Sequence, residues 1–156
     1  MIKAYKCFNE GLVNIYGNKF ETGVIYHANN DIKFQKNGFH MCANLEDTLR
    51  DFDSFKENID IAIVRGFGHI SKYDDEYNEF FNMYAAEYMI IDHILTRKEI
   101  INYTLNISEM QLKRFLSLYC LTNDELKYFK EKYKNNYMLT WTINYYQDSK
   151  RKILKK

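Results

Sequence analysis

Apolar and polar positions follow two different rhythms along this chain, a period near two in the first part and helical spacing in the last third. "IKAYKCF" (2–8) alternates as a strand does, with Ile2, Ala4 and one of Cys7 and Phe8 facing inward. "NEG" and "YGNKFETG" read as turns, because Gly11, Gly17 and Gly23 sit among Asn and charged residues. "VIYHA" and "IKFQ" are short strand candidates separated by "NND". "GFHMC" (38–42) follows as a strand. A helix from Leu45 to about Phe52 comes next, with Asn44 as its N-cap and Glu46 and Asp47 suiting its dipole.

"IDIAIVRGFGHI" (59–70) is the strongest strand signal, rich in β-branched residues, and its Gly66 and Gly68 predict a bulge or the close approach of another backbone. "SKYDDEYNE" reads as a solvated acidic loop. "MYAAEYMIIDHIL" reads as a strand, since a helix start follows it at once. That start is Thr96 with Glu99 three residues on, a capping box, and the device repeats at Ser108 with Gln111 and at Thr122 with Glu125. Helices are expected near 97–104, 109–120, 123–135 and 137–152. Leu126, Phe129 and Tyr133 form an apolar stripe on the third; Tyr137, Trp141 and Tyr145 form one on the fourth. The fold class is α+β: a small mixed or antiparallel sheet domain with one or two helices (1–95), then a bundle of three or four helices (96–156) packed on it.

The 156 residues suffice for one core, and 46% apolar with 28% charged residues is a globular balance. No proline occurs, so helix ends must be set by caps and glycines. Three cysteines without repeated spacing argue for a reducing, cytoplasmic setting. The start lacks a signal-peptide core and no apolar run reaches the roughly 18 residues of a membrane span, so no membrane partner is expected.

A net charge of +1 conceals an asymmetry. Residues 1–95 hold 9 Lys/Arg against 15 Asp/Glu, and residues 96–156 hold 13 against 6. The acidic side centres on Asp74, Asp75, Glu76 and Glu79. The basic side centres on Lys127, Lys130 and Lys134 and on Lys150, Arg151 and Lys152. Lysines interleaved with tyrosines would suit phosphates and unpaired bases, which keeps nucleic acid open as a partner. The competing reading, which the stripe spacing favours, places those aromatics in the inner face of amphipathic helices and the lysines in water. An acidic protein would satisfy the same charge.

His40 and Cys42 stand two apart, so a strand points both to one face. With Cys7 or His69 they would supply a zinc site, but only one close ligand pair exists, and no metal is expected. Cys42 near a helix start would also suit a Cys–His nucleophile, though nothing identifies an orienting third group. The expected role is structural: Cys42 in the core, and His40 bonding backbone where strand meets helix. "RGFGH" lacks the spacing of a phosphate loop and reads as a bulged strand.

"KAYKCFNEGL", "FETGVIY" and "KNGFHMCANLEDTLRDF", in that order, resemble a family of small domains common in bacteriophage and prophage genomes. Its pattern runs Y-K-G-F-N-x-D-L, F-x-x-G-x-x-Y and G-F-H-x-C-E-N-P-L-D-V-L. The likeness covers about residues 2–101. Cys7 stands where glycine is usual, Ala43 where glutamate is, and Leu45 where proline is. The resemblance implies a non-enzymatic accessory protein that binds a host or phage macromolecule, including components of host defence.

A looser likeness is to ADP-ribosyltransferase-like folds, which would use NAD. In them a polar residue on the first strand, a Gly-Phe segment opening a helix and a late glutamate converge. Tyr5 or Lys6, His40 in "GFHMCAN", and Glu87 occupy those places. The first-strand Arg or His, the Ser or Thr after Gly-Phe and a second acidic partner are missing, so the expectation leans away from catalysis. Glu87 otherwise reads as a surface carboxylate at a strand edge.

Overall fold

The computed structural model describes residues 1–29, 32, 37–73 and 82–148. Five antiparallel strands, β1 (Ile2–Asn9), β2 (Ile25–His27), β3 (Phe39–Cys42), β4 (Ile59–Lys72) and β5 (Met83–Ile94), run in the order β2-β5-β3-β1-β4. β5 also pairs with β4, so β5, β3, β1 and β4 close on themselves as a small barrel-like ring, with β2 on the flank of β5. Four helices follow: α1 (Arg97–Tyr103), α2 (Glu109–Leu118), α3 (Asn123–Lys132) and α4 (Tyr137–Thr142), the last continuing into a π-helical turn over Ile143–Asp148. The expected α+β class and the strands at 59–70 and from Met83 are observed. The "IKFQ" strand and the acidic loop fall largely outside the described residues.

Strand parity divides the apolar residues into two cores. Ala4 and Phe8 of β1, Met41 of β3, Ala62 and Val64 of β4, and Ala86, Met89 and Ile91 of β5 fill the ring. Cys7 of β1 and Ile61 of β4 face the other way and pack beneath Leu112, Phe115, Leu116, Phe129, Leu139 and Ile143 from the helices. Cys7 and Phe8 are thus both buried, on opposite faces.

A ring this narrow needs small residues inside it. At Gly66 a Cβ atom would come within 2.8 Å of both the Ala86 Cβ and the Met41 Sδ, so side chains of the facing strands approach there rather than another backbone. The expected bulge is present. The β4–β5 register shifts between Phe67 and Ile70, and Gly68 there holds a φ of +76°, which glycine tolerates without strain.

All three capping boxes form. Thr96, Ser108 and Thr122 each accept from the third helical backbone N–H, and Glu99, Gln111 and Glu125 reach back to the cap. Two local expectations fail. The helix after Asn44 is a 3₁₀ turn over Glu46–Leu49 without a side-chain cap; the Asn44 amide donates instead to Asp47 at 3.0 Å, and buried Asp47 pairs with Arg114 of α2. A tertiary ion pair has captured the local capping residue. On α4 the stripe of Tyr137, Trp141 and Tyr145 faces outward, while Leu139, Thr142, Ile143 and Gln147 are buried.

Gln147 explains that reversal. Its Nε2 donates to the Leu116 and Tyr119 carbonyls, both at 2.7 Å, and its Oε1 accepts from Leu121 N–H at 3.1 Å. A wholly buried amide so satisfied closes the end of α2 and fixes which side of α4 faces in.

Gly66→Ala is expected to overpack the ring. Urea unfolding should show a loss of about 1–3 kcal/mol, because the Ala86 methyl it meets is fixed to backbone.

Candidate functional site

Among the described residues, the pairing of the ring is thinnest at the seam between β1 and β3. β1 pairs with β4 along its whole length but meets β3 only at Tyr5↔Cys42. That register would set Cys7 opposite His40; instead the strands part, and the Lys6 ammonium donates to the His40 carbonyl at 2.6 Å. A side chain has taken over a ladder position. Beside it opens a cleft of about 460 Å³, with Lys6, His40 and Arg50 among its polar walls and Phe20, Phe39 and Phe52 among its aromatic ones.

Loss of water around the Lys6 amine lowers its pKa to about 8, and its ammonium also lies 5.6 Å from the centre of the Phe8 ring. Burial and the neighbouring Lys6 charge lower His40 as well. Arg50 and Asp51 stand on the rim, 3.4 Å apart. The His40 carbonyl accepts from Lys6, and the residue lines the cleft from β3. Cys42 is buried as expected, and burial pushes its thiol up to about 12. The Cys7 thiol is raised by the same cause. Both remain protonated at neutral pH, the wrong state for a nucleophile or a metal ligand. Among the described residues no three His, Cys, Asp or Glu side chains group as a metal site requires.

Tyr5, His40 and Glu87 are engaged separately. Tyr5 stacks edge-on against Tyr103 of α1, with ring centres 5.5 Å apart, on the helix-covered face. Glu87 accepts from the His69 backbone N–H at 2.9 Å and lies 3.4 Å from the His27 ring. It closes the bulge at Gly68, and the bond from His69 is the main reason its carboxyl sits below the ordinary range. Its role as a bulge clamp was hidden in the sequence because the partners lie on two other strands.

On the basic side, Lys130 pairs with Asp148 at 2.7 Å and Lys134 with Glu131 at 2.6 Å. Lys127 lines a shallow depression on α3 with Asn123, Leu126 and Lys130. Asp74, Asp75, Glu76, Glu79, Lys150, Arg151 and Lys152 lie outside the described residues.

Neighbouring α4 and the turn that continues it present a row of exposed aromatic and apolar side chains. Tyr137 is 79% exposed, Met138 48%, Trp141 46% and Tyr145 54%. The Trp141 and Tyr145 rings stack 5.0 Å apart at an interplanar angle of 7°, and Tyr146 meets both edge-on.

Ring, seam cleft and helical cover define an α+β protein with a small closed antiparallel sheet. The model of a domain of unknown function, DUF7666, matches residues 2–89, more than half of the chain, and the chain belongs to that family. The match ends within β5, so the four helices lie beyond it. No curated protein and no solved structure matches the chain. Among the described residues no helix is long and apolar enough to cross a membrane.

The thiol states generate a test. Ellman's reagent at neutral pH should modify half-buried Cys120 first and leave Cys7 and Cys42 unreacted until the chain unfolds, as read by mass spectrometry. Rapid labelling of Cys42 in the folded chain would reopen the nucleophile reading.

Proposed function

We propose that this chain is a non-enzymatic accessory protein of the phage or prophage type, and that it binds a host or phage protein through the outward face of α4. The observation that carries the reading is the exposed row of Tyr137, Met138, Trp141 and Tyr145. Burying such rings in the interior would remove a large apolar area from water, yet the fold spends Leu139, Ile143 and Gln147 there instead. Tyr and Trp in a contiguous patch are the side chains that anchor protein interfaces. Their spacing of one, four and eight positions suits a helix laid into a groove.

The lysines nearby favour a protein over a nucleic acid. Among the described residues of this face, Lys130 and Lys134 are each ion-paired, with Asp148 and Glu131, which lessens the charge they present to phosphates. The basic balance of residues 96–156 points to a partner whose apolar groove carries an acidic rim, where charge speeds encounter and the aromatics supply affinity. Interference with host machinery, defence systems included, is the activity the phage resemblance suggests for such a binder.

The test compares affinity capture from host lysate by the wild-type chain and by Trp141→Ala and Tyr145→Ala variants of unchanged thermal stability. A specific protein should be retained by the wild type, with affinity falling about 30-fold or more in each variant, as for an interface anchor. Equal capture by wild type and variants, or retention of nucleic acid alone, would overturn the reading.

A further inference from the structure

The cleft at the β1–β3 seam lies in the ring, apart from the α4 face, and its lining has a definite chemistry. Its volume of about 460 Å³ falls within the range of small-molecule sites, about 300–1,000 Å³. Phe20, Phe39 and Phe52 give it aromatic walls, and Tyr16, 82% exposed, stands at its edge. Lys6 and Arg50 bring two cations and Asp51 one carboxylate. Asp51 is already close to Arg50, and the direct polar partner of Lys6 is a neutral carbonyl.

An ammonium partly removed from water, bonded to a neutral carbonyl and sharing the Asp51 carboxylate with Arg50, leaves a positive excess that an arriving anion would relieve. The groups around Lys6 are the thiols of Cys7 and Cys42, His40, Arg50 and Asp51. The thiols are uncharged at neutral pH and His40 titrates below its ordinary range, so Asp51 is the one anion among them.

From these observations we infer that the β1–β3 cleft binds a small molecule of the nucleoside monophosphate class. Its flat ring lies among Phe20, Phe39 and Phe52, and its phosphate faces Lys6 and Arg50. Stacking on aromatic side chains tolerates any base, because every base has a π-face, so the site reads ring and charge together rather than base identity. The His40 carbonyl holds the amine in position before the ligand arrives, which limits the ordering cost of binding.

Calorimetric titration of the full chain with adenosine monophosphate, uridine monophosphate, adenosine and inorganic phosphate tests this. Both nucleotides should bind, with adenosine and phosphate alone each weaker by about tenfold or more. Lys6→Met keeps the aliphatic stem and should cost a similar factor. Arg50→Gln, on the exposed rim, supplies the same test if Lys6→Met fails to fold. Between pH 7 and pH 10 the affinity of the wild type should fall as pH rises past about 8, where the free chain loses the Lys6 proton. That loss should be absent from Lys6→Met, which assigns it to the Lys6 ammonium. Equal binding of adenosine and its monophosphate, unchanged affinity in both variants, or no binding by any probe would overturn the inference.

Discussion

The outward faces of β1 and β4 cannot be left in water. Cys7 and Ile61 point away from the ring, joined by Leu49 of the 3₁₀ turn and by Leu45 just before it, and all four share a core with Phe115, Leu116, Phe129 and Ile143. Each fully buried large apolar side chain adds about 1.5–3 kcal/mol, so the helices and the sheet stabilise one another through a shared layer. Polar contacts fix how the layers meet. Tyr103 of α1 donates to buried Glu46 at 2.8 Å, and Arg114 of α2 meets Asp47 on the same turn. A buried pair of this kind specifies placement more than it adds stability.

Closing four strands into a ring on one side of that layer has a consequence at the seam. The interior packs Ala4, Ala62, Gly66 and Ala86 against the larger Phe8, Met41 and Met89, small residues making room for large ones. β1 follows β4 along its full length and leaves β3 after a single paired residue. The gap becomes the cleft, and Lys6 bridges it. On the opposite side of the layer α4 must decide which of its faces to bury, and Gln147 decides it. The two open surfaces, one concave and one aromatic, are therefore by-products of the same packing.

Much of the frame was legible in the sequence. The three capping boxes depend on residues three apart and formed where they were read, and the β-branched run at 59–64 opens β4. The fourth helix misled for a physical reason. It carries two stripes at the same spacing, Tyr137, Trp141 and Tyr145 on one side and Leu139, Ile143 and Gln147 on the other. The second ends in an amide that no hydrophobicity pattern would send inward. Asn44 failed as a cap because Asp47, its acceptor, answers to an arginine 67 residues away. The cleft was invisible for a similar reason: the Lys6–His40 contact spans 34 residues and exists only because a ladder stops.

The shared layer is tested most directly by removing half of it. A chain of residues 1–95, followed by circular dichroism and urea titration, should show no cooperative transition, since Cys7, Leu45, Leu49 and Ile61 would lose their cover. A fragment that unfolds cooperatively, with protected amides in β1 and β4, would show that the sheet stands without its helices and contradict the account.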